Sequence, residues 1–361
     1  GLSALRPADA VVSSNFFVHL PIVNKHLPAM ITRKTDAASM RSGFGILPCR
    51  LRLGKSFPLL LLVLIFAACA PKKKSQDATS SPSLTIGAMS SMDFLPFAVA
   101  QETGIYDSLG LKLEIVHFFS ANDRDAALQA GKLDGTVTDY TGAALQVAGG
   151  VDAGLVMKLD GDFSWMAYGA ESDDFPKSFG VSNNTVIDFL TDRFTQPAVA
   201  KGAVVHRVEV QKIPLRLELL LQGKLAAAVL PEPFATMAEA SGRCGRRDVS
   251  SAHQWEATGL LVKRELAQEG NNKALALLLQ GYNLAVQKLR DADTKTLARW
   301  IKDYAGAPEK LAAHIPVPDY TPATPPKAEE LQAAIAWLKQ KKALKKDLTP
   351  QQLIVPMPAL P

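Results

Sequence analysis

Cysteine is scarce in this sequence, and so are the signatures of common enzymes. Cys49, Cys69 and Cys244 are the three cysteines among 361 residues, with no CxxC pair and no Cys/His cluster at metal-ligand spacing. A disulfide framework and a zinc site are therefore not expected. HExxH, GxSxG, P-loop and GxGxxG motifs are also missing, and the six histidines are scattered. We therefore expect a protein that is not an enzyme and that needs no metal and no cofactor.

Basic charge is lacking from most of the chain, although the net charge is +5. Residues 1–68 hold eight Lys or Arg and two Asp, which leaves 32 basic and 33 acidic residues for the remainder. Nucleic-acid binding needs a basic surface on the folded part. The charge distribution therefore indicates no nucleic-acid partner.

A twelve-residue apolar run at residues 57–68 ends directly before Cys69. It is shorter than the roughly 20 residues of a membrane-spanning helix but has the length of a signal-peptide core. Basic residues precede it, and Phe66-Ala67-Ala68-Cys69 resembles a bacterial lipobox with Phe66 where Leu is usual. The motif predicts lipidation of Cys69; ordinary signal cleavage and a buried apolar segment are the alternatives. Met40 opens a conventional signal peptide, so residues 1–39 are expected to precede the true start, with a genuine extra segment as the alternative.

Strands and helices alternate after a polar stretch that ends near residue 83. Residues 84–88, 112–118 and 135–138 have strand patterns, and residues 97–103, 123–129 and 142–148 have helical ones. This β-α-β-α-β order is typical of parallel sheets in an α/β fold.

One internal repeat indicates two related lobes. Residues 130–137, AGKLDGTV, align with residues 222–229, QGKLAAAV, at an offset of 92. Each copy follows an apolar helix and precedes a short apolar strand. Two lobes of this kind place ligands at the carboxyl ends of their strands, where the strands face a shared cleft.

The predicted cleft loops are rich in hydroxyl and amide side chains. Such residues cap helices, and helix N-termini with free N–H groups also bind anions. The candidate ligand-binding residues are Ser90, Ser91, Met92, Asp93, Phe94, Ser120, Asn122, Asp139, Tyr140, Thr141, Ser182, Asn183, Asn184, Thr185 and Glu232.

Four short motifs resemble a known family over about residues 84–290. They are AALQAGKLDG at 126–135 with Asp139, GVSNNT at 180–185, IPLR at 213–216 and LPEP at 230–233. With the lipobox, these residues look like the bacterial periplasmic binding proteins for nitrate, sulfonates, taurine and thiamine-pyrimidine precursors. Two segments depart from the family pattern. Residues 173–178 are short where a lead-in to the second lobe belongs, and residues 243–254 are irregular where a strand should return to the first lobe.

The resemblance implies an α/β protein of the type II periplasmic-binding-protein fold, with two α/β lobes around a ligand cleft. It implies a leader and signal peptide at 1–68, a lipid-anchored tether at 69–83, the first part of lobe 1 at 84–172, lobe 2 at 173–250, and a return to lobe 1 with C-terminal helices at 251–361. The implied function is the solute-binding component of an ABC importer. Such a component would close on a small molecule, deliver it to a membrane permease and act as a monomer held at the cell envelope by its lipid. It would face the periplasm or the outer side of the cytoplasmic membrane. A ligand-sensing partner of a membrane receptor, or a small enzyme on the same fold, is the alternative.

Carboxylates among the cleft loops bear on the ligand. Asp93, Asp139 and Glu232 lie in these loops, which contain no Arg or Lys. Carboxylates favour ligands with amino or ring N–H donors, and Phe94 and Tyr140 could stack on a flat ring. We expect an amine-bearing molecule such as an aminopyrimidine or taurine rather than nitrate. Capping by Asp93 and Asp139, hinge structure at Glu232 and core packing by the two aromatics are the alternatives.

Overall fold

Two five-stranded mixed sheets form the frame of the chain. The computed structural model describes residues 81–169 and 175–360. The first sheet has the order β2-β1-β3-β10-β4 and the second β7-β6-β8-β5-β9. The strands are β1 (Ser83–Met89), β2 (Lys112–Phe118), β3 (Gly135–Asp139), β4 (Ala153–Leu159), β5 (Phe163–Tyr168), β6 (Ser178–Val181), β7 (His206–Glu209), β8 (Ala227–Pro231), β9 (Cys244–Val249) and β10 (Thr258–Lys263).

Helices cover both sheets. They are α1 (Leu95–Glu102), α2 (Ile105–Ser108), α3 (Ala121–Gln129), α4 (Tyr140–Ala148), α5 (Val186–Val199), α6 (Ile213–Leu221), α7 (Phe234–Ala240), α8 (Lys273–Arg290), α9 (Thr294–Trp300), α10 (Glu309–Ala312), α11 (Ala328–Gln340) and α12 (Pro350–Leu353). No helix among these is both long and apolar enough to cross a membrane.

The two sheets repeat one pairing scheme. In the first, β1 pairs in parallel with β2 and β3, while β10 is antiparallel to β3 and β4. In the second, β6 pairs in parallel with β7 and β8, while β5 is antiparallel to β8 and β9. We call the first sheet with α1–α4 and α8 the first lobe, and the second sheet with α5–α7 the second lobe. The predicted two-lobed α/β architecture is confirmed.

The chain crosses between the lobes earlier than the sequence suggested. The expected boundary at 172/173 is wrong, because β5 pairs with β8 and β9 in the second sheet. The crossing therefore lies between Leu159 and Phe163. Residues 243–254 are likewise not irregular throughout, because Cys244–Val249 forms the edge strand β9. The return to the first sheet is made by β10 after residue 257.

Local signals set the helix ends that face the space between the sheets. The Ser120 hydroxyl caps α3 by accepting the N–H of Asp123 at 3.2 Å, and the Asp139 carboxylate caps α4 by accepting the N–H of Gly142 at 2.7 Å. Thr185 caps α5 in the same way through the N–H of Ile187. Such side-chain caps each contribute on the order of 1 kcal/mol, so these helices begin at the carboxyl ends of strands.

Helix α11 contacts both lobes rather than the first alone. Its fully buried Leu331, Ala334, Ile335 and Leu338 recur at helical spacing and join a core cluster that includes residues of α4 and α5. Burial of a Leu or Ile side chain stabilises a fold by roughly 1.5–3 kcal/mol. The packing of α11 therefore holds α4 of the first lobe beside α5 of the second.

Candidate functional site

A cavity of about 100 Å³ lies at the carboxyl ends of strands from both sheets. Its lining comes from the segments after β1, β3, β6 and β8, with contributions from α3 and α6. Pockets for drug-sized ligands hold roughly 300–1,000 Å³. The cavity therefore suits a small solute that touches both lobes at once.

Asp93 is a buried carboxyl group on the first-lobe side of this cavity. It is 7% exposed and accepts a short hydrogen bond from the Ser91 hydroxyl. Burial raises the pKa of Asp93, while the hydrogen bonds from Ser91 and Thr258 and the charge of Arg124 oppose the rise. The neutral form of this carboxyl group is therefore more favoured in the folded protein than it would be in water.

Asp139 combines a structural role with a place on the cavity wall. Besides capping α4, it accepts a hydrogen bond from the Thr141 hydroxyl. Burial raises the pKa of Asp139, and the positive charge of Arg124 is the main opposing effect. Two neighbouring carboxyl groups therefore resist ionisation for the same reason.

Arg124 brings a positive charge to the same wall. It is 4% exposed, and its Nε and Nη2 donate to Oδ1 of Asp125 at 2.9 and 2.8 Å. Nη2 also donates to the Thr138 hydroxyl at 2.8 Å. The guanidinium is therefore neutralised by its neighbour in the chain.

Arg216 lines the same cavity as Arg124, from the second lobe, and is fully buried. Its Nη2 donates to the carbonyl of Val210 at 2.8 Å, and its Nε donates to the same oxygen at 3.2 Å. Nη1 has no hydrogen-bond partner in the part of the chain that the structure describes. Burial lowers the pKa of Arg216 to about 10, so it remains a cation at neutral pH.

Glu232 lies on the cavity, but its carboxylate is already engaged. Oε1 accepts from Nη2 of Arg246 at 2.8 Å, and Oε2 accepts from the N–H of Thr236 at 3.0 Å. Both contacts lie within the second lobe, so they give Glu232 a structural role there.

About half of the residues suggested by the sequence line the cavity. Those that do are Ser90, Ser91, Met92, Asp93, Asp139, Ser182, Thr185 and Glu232. Those that do not are Phe94, Ser120, Asn122, Tyr140, Thr141, Asn183 and Asn184.

The residues away from the cavity have other roles. Phe94 and Tyr140, the two aromatics considered for ring stacking, are each 1% exposed and are packed into core clusters. Ser120 caps α3, and the side chains of Asn122 and Asn183 are exposed. All these positions follow strands, but the cavity is lined by four consecutive residues of the loop after β1 and by at most two candidates from each of the other loops.

Sequence reasoning missed both arginines, and the expectation of a cleft without basic side chains is wrong. Arg216 ends the IPLR motif that carried the family resemblance, and Arg124 lies four residues after Ser120. Both arginines lie on helices, whereas the sequence analysis considered only the loops that follow strands. Thr138, Asp162, Gln211 and Thr258 are further polar residues of the lining.

Metal binding has no support in the described ranges. No group of three or more His, Cys, Asp or Glu residues there is arranged to hold a metal ion.

Comparison with known proteins identifies the fold. The NMT1-like family matches residues 77–169, which contain β1 to β4 of the first sheet and β5 of the second. No curated protein matches the sequence. Among solved structures, the periplasmic aliphatic sulphonate-binding protein of Escherichia coli superposes with a TM-score of 0.63 at 16% identity, covering 76% of this chain and 97% of that one.

Two further structures have the same architecture. The ligand-binding component of an ABC-type import system from Staphylococcus aureus, solved with zinc bound, has a TM-score of 0.63 at 16% identity over 76% of this chain and 97% of that chain. A Candida albicans protein described as having the generic periplasmic binding protein fold has a TM-score of 0.59 at 12% identity over 77% of this chain and 98% of that chain. With both lobes matched, the chain has the periplasmic-binding-protein fold.

Proposed function

We propose that the protein is the extracytoplasmic solute-binding component of an ABC importer. The observation that carries the proposal is a small cavity that both lobes build jointly at the carboxyl ends of their strands, with buried charged side chains in its lining. Proteins of this fold named as sulphonate-binding and as importer components support the assignment.

Closure of the lobes is the proposed mechanism. A ligand that contacts Asp93 on one lobe and Arg216 on the other gains both sets of contacts only when the lobes are together. Binding therefore shifts the population towards the closed form by its differential affinity for the two states. The segments between Leu159 and Phe163 and between Val249 and Thr258 are the proposed hinges. The membrane permease would recognise the closed form.

The proposed ligand is a small organic molecule of the aminopyrimidine, taurine or sulfonate class, and the first two of these carry nitrogen donors. Asp93 and Asp139 would accept hydrogen bonds from an amino or ring N–H group. A cationic amine beside them would compensate the cost of burying the ionised carboxylates.

A thermal-shift screen of the purified full chain tests the proposal. The panel contains 4-aminopyrimidine, taurine, methanesulfonate, nitrate and amino acids. A ligand that binds only the folded state stabilises it by about 2.7 kcal/mol at a hundredfold excess over its dissociation constant. We expect a clear shift with an amine-bearing compound and a much smaller one in Asp139→Asn.

The matched control for that variant is Asp293→Asn. Asp293 caps α9 by accepting the N–H of Thr296 at 2.9 Å and does not line the cavity. Asn caps helices as well as Asp does, so both variants should fold. Equal shifts in the two variants would contradict a ligand role for Asp139, and no shift with any compound would contradict solute binding.

Membrane attachment through a lipid on Cys69 is a separate proposal, because residues 1–80 lie outside the described ranges. The tether would raise the local concentration of the protein at its permease. Cys69→Ala should move the protein from the membrane fraction to the soluble fraction. A variant that stays with the membranes would contradict lipidation.

A further inference from the structure

The internal repeat places two arginines at equivalent positions of the two lobes. α3 (Ala121–Gln129) and α6 (Ile213–Leu221) are related by the same offset of 92 residues as β3 and β8. Arg124 and Arg216 are each the fourth residue of their helix, both are buried, and both line the cavity. The cleft is therefore built around a pseudo-symmetric pair of guanidinium groups.

The surroundings of the two arginines are not equivalent. The repeat aligns Asp125, the ion-pair partner of Arg124, with Leu217, and it aligns Thr138 with Leu230. The second lobe thus has leucine in place of the two side chains whose oxygens bind Arg124. Arg216 instead donates hydrogen bonds to the backbone carbonyls of Val210 and Gln211.

No carboxylate contacts Arg216 within the described ranges, although the charge of Glu209, the last residue of β7, acts on it from a distance. Arg216 has no ion pair there, and its Nη1 has no hydrogen-bond partner. Glu232 lines the same cavity, but Arg246 and the N–H of Thr236 already occupy its two oxygens. A buried guanidinium without a counter-charge is costly unless an anion compensates it.

We propose that Arg216 is the anion receptor of the cleft, and that the ligand carries an oxyanion group that accepts a hydrogen bond from its unpartnered Nη1. This rests on the proposed solute-binding function and makes it more specific. Asp93 and Asp139 on the opposite wall receive the amino end of the same molecule. The ligand class is then a short molecule with an acidic group at one end and an amine at the other, and Arg216 selects the acidic end.

Three probes separate the two ends of such a ligand. Methanesulfonate carries only the oxyanion, ethylamine only the amine, and taurine carries both. Affinities are measured by thermal shift and calorimetry at constant ionic strength on the full chain. Loss of a charge-assisted hydrogen bond predicts at least about tenfold weaker binding of methanesulfonate and taurine to Arg216→Gln. Ethylamine binding should be unchanged, and Arg216→Lys should recover part of the loss.

Arg193→Gln is the matched control. Arg193 is partly buried and, unlike Arg216, ion-paired, with Glu330 at 2.6 Å, and it does not line the cavity. The Arg193→Gln variant should bind methanesulfonate as the wild type does. Equal methanesulfonate affinity in the wild type and Arg216→Gln would overturn the proposal.

A second variant keeps the test independent of how well Arg216→Gln folds. Asp125 is 20% exposed and does not line the cavity, so Asp125→Asn removes the charge that neutralises Arg124 with little effect on packing. Methanesulfonate should then bind several-fold more tightly, because a second uncompensated guanidinium faces the cleft. Unchanged or weaker binding would count against the proposal.

The outcomes also separate the two levels of inference. If ethylamine binds and methanesulfonate does not, the solute-binding function stands and the role of Arg216 is wrong. If none of the three probes binds, the role of Arg216 is wrong, and solute binding is wrong as well if no compound of the wider thermal-shift panel binds.

Discussion

Asp93 and Asp139 are two carboxyl groups whose burial affects stability as well as ligand choice. Burial raises the pKa of each above the ordinary value of 3.8. The folded state therefore binds these protons more tightly than the unfolded state does. The resulting stabilisation is fully present below pH 3.8 and is lost as the pH rises through the raised pKa values.

Asp139→Asn is expected to remove one share of this pH dependence. Asn retains the cap of α4 and does not ionise. The thermal midpoint of the wild type should therefore fall relative to that of the variant as the pH rises above 3.8. Midpoints measured over a pH series in the absence of ligand test this. A difference between the two proteins that stays constant with pH would show that burial does not shift the pKa of Asp139.

Glu232 shows how a residue on the cavity wall can serve the fold. Its carboxylate is 5% exposed and bridges β9 to the start of α7 through Arg246 and Thr236. Glu232→Gln should cost about 1–3 kcal/mol of unfolding free energy, because it weakens a charged hydrogen bond at a buried group.

Glu239→Gln is the control for that measurement by denaturant unfolding. Glu239 contacts the same Arg246 at 3.4 Å but is 51% exposed. Exposed ion pairs contribute about 0–1 kcal/mol. If the two variants lose equal stability, the bond between Glu232 and Arg246 is not a structural link.

At the scale of the element, the duplication was visible in the sequence, and its consequences for the site were not. The repeat at 130–137 and 222–229 predicted equivalent strands, which the structure contains as Gly135–Asp139 and Ala227–Pro231. Arg124 and Arg216 could not be placed, because a charged residue in a helix is solvated in most cases. Only the packing of α3 and α6 against the strand ends turns these two side chains towards the cleft.

One glycine in α8 permits a close helix contact that its helical propensity opposes. A Cβ at Gly281 would overlap the ring of Tyr106 on α2. Gly281→Ala should therefore destabilise the fold by about 1–3 kcal/mol from overpacking. In an open helix the same change would stabilise by roughly 1 kcal/mol.

Thermal or denaturant unfolding of Gly281→Ala measures this effect. Gln287→Ala is the control, since Gln287 is an exposed residue of the same helix. A more stable Gly281→Ala would show that α2 and α8 do not pack as closely as described.

At the scale of the whole molecule, the two lobes share a core on the side of α4, α5 and α11. The ring of Trp337 on α11 packs against Phe189 on α5 at 5.4 Å between centroids, and its Nε1 donates to Asp192 at 2.8 Å. Lys341, just after α11, reaches Asp188 on α5 at 3.3 Å. These contacts join the two lobes through α5 and α11.

The lobe crossing shows the limit of prediction from sequence. β5 is an antiparallel strand between β8 and β9, and its partners lie about 60 and 80 residues further along the chain. Its own residues form a strand pattern but do not indicate which sheet they join. The α/β rhythm and the fold class follow from local patterns, whereas the sheet membership of a return strand depends on distant pairing.

Hydrogen–deuterium exchange of the full chain is the most direct test of ligand binding between the lobes. Exchange is measured with and without a saturating mixture of taurine, methanesulfonate and 4-aminopyrimidine. The account predicts slower exchange at residues 90–93 of the first lobe and at residues 182–187 of the second, in the same sample. Protection confined to one lobe, or protection elsewhere with none at these two segments, would contradict it.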